Sequence, residues 1–210
     1  MNDSKEYIIS IATKLFLQKS FKEVTMKKII ETTGMSKGAI YHYFDSKEKL
    51  FKEVAEFFLT HFLIHEYDKY KKDSLYNYYH DYANRLLLYN NDFLKTLNIA
   101  NEGKSFNYFI LLRDALILIP EFYEQILELQ KKDLSIWSSV IKNARQKGEI
   151  ESVMNDEQLA LLFSYLNDGV TIQNMILNTN YSETAPVTLS LWNRLYEQIK
   201  KTKKQEAFLI

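Results

Sequence analysis

Six residues within one short run, Lys37, Gly38, Ala39, Tyr41, His42 and Tyr43, carry groups suited to the surface of duplex DNA. A lysine ammonium reads guanine acceptors or neutralises a phosphate. Gly38 would let a backbone approach closely, the Ala39 methyl can meet a thymine methyl, and tyrosine and histidine donors can bond phosphates or base edges. Ile40 and Phe44 are four apart, hence on one helical face, and with Met35 they are expected to point inward. Three exposed rings and a lysine need a reason, because a purely structural surface helix favours Glu, Gln or Arg.

Such a helix must be presented by a second one, and the preceding residues supply it. Thr25 is a good N-cap for a helix whose apolar side is Met26, Ile29 and Ile30, and Gly34 can end it in a left-handed conformation. Ser36 then caps Lys37 to Phe44 and joins the DNA-facing set. A capped helix, a turn with glycine and a second helix make a helix-turn-helix, in which the second helix enters the major groove and the first lies across the backbone. Thr25 and Lys47 stand at helix N-termini, where backbone amides favour phosphate.

Helical spacing continues on both sides. Ile8, Ile11, Ala12, Leu15 and Phe16 predict a first helix from Asp3 or Ser4 to about Lys19. Asp45 with Glu48 fits a capping box, with Ser46 as a competing cap, for a fourth helix bearing Leu50, Phe51, Val54, Phe58 and Phe62. One or two helices are expected over 73–101, then 106–119, then 120–147 ending at Gly148, then 156–177. After a loop over 178–186 the last helix is expected over 187–203, with Lys200, Lys201, Lys203 and Lys204 in a solvated tail. The fold class is therefore all-α: a three-helix helix-turn-helix domain, 1–46, joined to a larger helical domain, 47–210.

Composition agrees. Five glycines and two prolines among 210 residues leave too few turn formers for a sheet protein. Without cysteine there is neither a disulfide nor a thiolate metal site, which suits a reducing compartment, and the cytoplasm is the expected location. The N-terminal apolar run is broken by Ser10, Thr13 and Lys14, unlike a signal peptide, and no run of about 18 apolar residues offers a membrane span. The net charge is zero, but ten lysines against six carboxylates give residues 1–52 a charge of +4 and leave −4 for the rest. A basic end on a neutral chain fits a nucleic-acid-binding module joined to a non-binding one.

Helix, TxxxIIxxTGMSKGAIYHYFxSKExLF, then a long helix is a pattern that resembles the TetR family of one-component transcriptional repressors, over about residues 5–54. The resemblance implies that Lys37, Gly38, Ala39, Tyr41 and His42 lie in or beside the major groove and that Tyr43, Lys47 and Thr25 hold phosphates. It implies a homodimer on a palindromic operator, built on the last two helices through Leu159, Leu162, Phe163, Leu166, Val170, Leu189, Trp192, Leu195 and Tyr196. It also implies a small-molecule effector bound in the helical body. The chain departs from the family at Met26, which cannot donate to a phosphate, at Ile30 and Thr33, where alanine is common, and at Ser20, where a glycine is common and a positive φ would cost about 1 kcal/mol.

Fifteen tyrosines and thirteen phenylalanines crowd the middle of the chain, and buried tyrosine hydroxyls need partners, so some rings should line a pocket. His61, Tyr82, Tyr89, Phe93, Phe109 and Trp137 are the candidates for that effector pocket. His61 and His65 share a face at a metal-binding spacing, but with no cysteine and apolar neighbours no metal and no cofactor is expected. No phosphate loop, Gly-x-Ser-x-Gly elbow or cysteine nucleophile is present, which argues against an enzyme. The alternative is a ligand-independent DNA-binding or protein-interaction module whose body has no effector pocket.

Overall fold

The computed structural model describes residues 3–99, 106–177 and 184–201. Among them are nine α-helices: α1 (Asp3–Phe16), α2 (Met26–Thr33), α3 (Lys37–Tyr43), α4 (Lys47–Phe58), α5 (Leu75–Thr96), α6 (Tyr108–Leu118), α7 (Pro120–Gln146), α8 (Asp156–Leu177) and α9 (Thr184–Ile199). The all-α class read from the sequence holds, and the only strand-like pairing among the described residues is a single antiparallel bridge, Ile150 with Lys200.

Local chemistry sets the helix ends. The Thr25 hydroxyl accepts from the Lys28 amide at 3.1 Å, Ser36 from Ala39 at 3.2 Å and Ser46 from Lys49 at 3.2 Å. Ser46, not Asp45, is thus the cap of α4, and the Asp45 carboxylate pairs instead with the Lys49 ammonium one turn on. Gly34 has φ +69° and donates to Ile30, ending α2 as expected. Gly148 closes α7 in the same conformation, its amide bonding Arg145 and that of Glu149 bonding Ala144. Glu149 then takes the amides of Leu75 and Tyr76, both at 3.0 Å, at the start of α5.

Several boundaries differ from expectation. The first helix ends at Phe16, three residues early, because Leu17 to Val24 fold into turns. Ser20 needs no positive φ: its amide and hydroxyl both bond the Glu23 carboxylate, at 2.9 and 2.6 Å, so the strain anticipated there is absent. The described part of 73–101 is a single helix, α5, and positions 100–101 lie outside the described residues. The last helix starts at Thr184 rather than after Pro186, since proline in a first turn forfeits no helical hydrogen bond. It stops at Ile199, where the following backbone is tied to 149–151: Glu151 donates to Ile199 at 2.7 Å and Lys201 to Glu149 at 2.9 Å. Lys203 and Lys204 lie outside the described residues.

Two apolar cores organise the helices. One joins Ile8, Phe16, Ile29, Ile40, Phe44, Leu50, Val54, Phe58 and Phe62 to Phe93, Leu97, Tyr108, Leu111 and Phe122. It runs without a break across position 46/47, from the helix-turn-helix into α5, α6 and α7. The other gathers Tyr78, Tyr79, Tyr82, Trp137, Phe163 and Trp192, whose indole donates to the Phe163 carbonyl at 2.8 Å. Leu159, Phe163 and Trp192, expected at a subunit interface, are wholly buried here inside the chain. Leu166, Leu189, Leu195 and Tyr196 pack against the same core and Val170 is half-buried, which leaves Leu162 as the exposed member of the expected set. The helical spacing that marked these residues reports burial, not what does the burying.

Replacing Gly34 by alanine should cost about 1 kcal/mol, because a Cβ meets no neighbour there but the left-handed backbone disfavours it. The midpoint of urea unfolding checks this.

Candidate nucleic-acid interface

Helix α3 stands on α2 through Met35, Ile40 and Phe44, as the spacing predicted; Ile40 is wholly buried and Phe44 nearly so. What remains outside is the expected set. Lys37, Gly38, Tyr41 and His42 are exposed, with Ala39 and Tyr43 half-buried beside them. The Lys37 ammonium lies 5.6 Å from the centre of the Tyr41 ring, and the His42 and Tyr43 rings meet at 5.0 Å, so the surface is a connected patch of rings and cation. Gly38 is instructive: a Cβ there would touch nothing in the protein. Nothing inside the chain therefore requires glycine at this position.

Thr25 and Ser36 are exposed. Their oxygens accept the cap bonds, which leaves each hydroxyl hydrogen free to donate. Met26 packs against the core, as does Ile30, which accounts for an apolar residue where the resemblance implies a phosphate donor. Lys27 and Lys28, missed in the sequence reading, are exposed beside Thr25; two basic side chains after a cap residue were the available signal.

Lys47 is placed differently from its expected role. It opens α4, but its ammonium donates to the carbonyls of Phe21 at 2.7 Å and Val24 at 3.0 Å and lies 4.0 Å from the Phe21 ring centre. Two of its three donors are therefore used inside the protein, and its main work is positioning. The Phe21 amide in turn donates to the buried Asp114 carboxylate on α6. Asn107, the cap of α6, donates its amide to the Leu17 carbonyl at 2.9 Å. The reading head is thus fastened to the body by charge as well as by the shared core.

The body holds a cavity of about 320 Å³ that is partly open to solvent. Its wall includes Phe62 and Leu63, in a single π-turn (Leu59–Leu63) that continues α4, with Tyr82 and Leu86 of α5, Leu112 of α6, Asp133 of α7, and Ser164, Asn167 and Asp168 of α8. Such turns recur at functional sites. Of the six residues expected to line a pocket, Tyr82 does. His61 is exposed and its ring lies tilted against that of Phe57, 4.4 Å between centres. Phe93 and Phe109 belong to the first core, and Trp137 to the second. Tyr89 sits behind His65, ring to ring at 5.1 Å, its hydroxyl accepting from the Glu66 amide.

Carboxylates, not rings, distinguish this wall. Asp133 accepts from the hydroxyls of Tyr67 at 2.8 Å, Tyr82 at 3.3 Å and Ser164 at 3.0 Å. Burial pushes its carboxyl above the usual range against the pull of those hydrogen bonds. Asp168 has no ion-pair partner among the described residues, and burial together with the Asp133 charge pushes it up to about 6. Burial holds the His65 imidazole down at about 4, so it is neutral near pH 7, with the Tyr70 hydroxyl 3.0 Å from Nδ1. Both carboxylates were legible as polar interruptions: Asp133 repeats with Leu129, Ile136 and Trp137 at helical spacing, and Asp168 with Ser164 and Met175.

Residues 8–54 match the family model described as bacterial regulatory proteins, tetR family. The HTH-type transcriptional regulator YerO of Bacillus subtilis (strain 168) is 41% identical over 59 residues, 28% of this chain but only 20% of that protein. The HTH-type transcriptional regulator YfiR of the same organism is 28% identical over 171 residues, covering 80% of this chain and 78% of that one. Among solved structures, a TetR transcription regulator from Haloarcula marismortui superposes with a TM-score of 0.63 over 96% of this chain and 100% of that one, at 15% identity, a likeness of fold. No helix among the described residues is long and apolar enough to cross a membrane.

Two outcomes follow. Lys47→Met should lower stability by about 2 kcal/mol, since two carbonyls lose charged donors, whereas Lys37→Ala should leave stability within about 0.5 kcal/mol; paired urea titrations compare them. Asp168→Asn should stabilise the fold by about 2 to 3 kcal/mol at pH 7.5, because the folded carboxyl near 6 lies above the usual 3.8 and its ionisation opposes folding. That advantage over wild type should shrink as pH falls through 6 and vanish below about 4, as thermal unfolding across pH would record.

Proposed function

We propose, from the premise that this chain belongs through residues 8–54 to the TetR family of bacterial regulators, that it is a homodimeric, ligand-responsive repressor of a palindromic operator. The observation that carries the reading is a single connected path. Helix α4 begins at Lys47, which holds the loop before the helix-turn-helix, and its π-turn extension ends at Phe62 and Leu63 in the cavity wall. A small molecule that prefers one placement of that wall therefore biases the placement of α3, and DNA and ligand affinities are coupled reciprocally.

DNA contact is assigned to Thr25, Ser36, Lys37, Gly38, Ala39, Tyr41, His42 and Tyr43, with Lys47 mainly orienting the head. Dimerisation is assigned to the outward faces of α8 and α9, where Leu162, Tyr165, Ile176, Val187 and Leu191 are exposed. An apolar surface of this kind on two long helices calls for a partner, and a two-fold axis supplies the same patch twice. Two copies of α3 would then read half-sites about one helical turn or somewhat more apart.

Selection of bound duplexes from a random pool should enrich a palindrome, with Lys37→Ala and Tyr41→Ala each weakening its binding by about 1–3 kcal/mol. Enrichment of no palindrome would overturn the DNA assignment. Leu162→Lys combined with Leu191→Lys should convert the chain to a monomer in sedimentation experiments; an unchanged dimer would move the interface elsewhere.

A further inference from the structure

The wall of the cavity is unusual in its charge. Asp133 and Asp168 face it from α7 and α8, and among the described lining residues there is no lysine or arginine. The remaining titratable groups there are Tyr67, Tyr82 and His65. Both tyrosines are pushed well up by burial and by the Asp133 charge, and the histidine is held neutral by burial. Lys132 lies 5.6 Å from the Tyr67 ring but is not part of the wall. The site thus concentrates negative charge that no internal cation balances, which is costly in a partly desolvated space.

A second observation is independent of charge. Asn167 Oδ1 and Thr171 Oγ1 are buried, have no hydrogen-bond partner, and belong to residues of the same wall; Asn167 is only 8% exposed. An unmet buried oxygen is costly, and these two mark the α8 side of the wall as polar. Phe62, Leu86, Leu112, Ile126 and Leu129 share this wall and offer an apolar body its contact. The aromatic residues Phe62, Tyr67 and Tyr82 also belong to the wall.

We propose that the effector of this cavity is an organic cation with an apolar body, its charged nitrogen seated between Asp133 and Asp168. This rests on the reading of the cavity as an effector site. Asp168 supplies the less occupied charge: Asn167 bonds it, whereas Asp133 is already occupied by three hydroxyls. The aliphatic and aromatic wall then selects for bulk on the rest of the molecule. An anion is rejected by both carboxylates, and a neutral analogue leaves the charge unbalanced.

The test uses the full chain and three probes of one shape class in calorimetric titration: benzyltrimethylammonium, its uncharged isostere neopentylbenzene, and phenylacetate. The cation should bind about tenfold or more tightly than the isostere at pH 7.5, and phenylacetate should not compete. Asp168→Asn should erase that preference. In wild type, the preference should also fall by about tenfold between pH 7.5 and pH 5 as Asp168 takes up a proton, an arm that needs no variant to fold. If the isostere or phenylacetate binds as tightly as the cation, or the preference survives both Asp168→Asn and pH 5, the cationic assignment is overturned while the cavity remains a ligand site. If none of the three binds, the effector reading of the cavity falls with it.

Discussion

The peptide of Phe21 is gripped by charge from two sides. Its amide meets the Asp114 carboxylate of α6, its carbonyl meets the Lys47 ammonium of α4, and its ring lies beneath that same ammonium. A loop residue with exposed polar groups would normally be the most forgiving point in a helical protein. Here it is where the reading head, the connecting helix and the body converge. Charged hydrogen bonds are about twice as strong as neutral ones and far more directional than apolar contact, so this junction has one geometry rather than a range. The head cannot move alone; it moves with α4 and α6 or the grip must break.

Packing reinforces that constraint. Phe16, Phe21 and Phe51 form a ring cluster at the junction, and Phe58, Phe62, Phe93 and Tyr108 form another at the far end of α4. Helix α4 is thus a rod packed against an aromatic cluster at each end. The π-turn at Leu59–Leu63 is the one irregular stretch of that rod among the described residues, and it falls at the cavity wall. Helix α4 thus has an irregular turn at the end that meets the cavity and a charged clamp at the end that meets the helix-turn-helix.

The aromatic body divides its tyrosines by partner. Tyr79 donates to Asn193, Tyr196 to Glu149, Tyr108 to Asn90, and Tyr67 and Tyr82 converge on Asp133. These bonds let most of the large polar rings fill a core with their hydroxyls met, while the buried Tyr78 hydroxyl has no partner. The cost is a buried carboxylate, and its charge is felt by Asp168 across the cavity. The composition that makes the body rigid therefore also makes its interior acidic.

The helix-turn-helix was legible from residues alone because its rules are local. Thr25, Gly34 and Ser36 act through backbone bonds three or four positions away, and Ile40 and Phe44 declare their face by spacing. The same locality made Gly148 readable as a helix end. Where two local solutions competed, as at Asp45 and Ser46, the sequence left both standing, and only the surrounding pairs decided for Ser46. The long-range features were not legible. Nothing local distinguishes a leucine or tryptophan covered by its own chain from one covered by a second copy, so Leu159, Phe163 and Trp192 looked like interface and are core. Lys47 read as a phosphate ligand until folding set the Phe21 and Val24 carbonyls against it. The cavity required four helices far apart in sequence to leave a gap between them, and its two carboxylates acquire their character only from the burial that this arrangement imposes. Secondary structure and its caps are fixed by neighbours along the chain; charge, solvation and partnership are properties of neighbours in space.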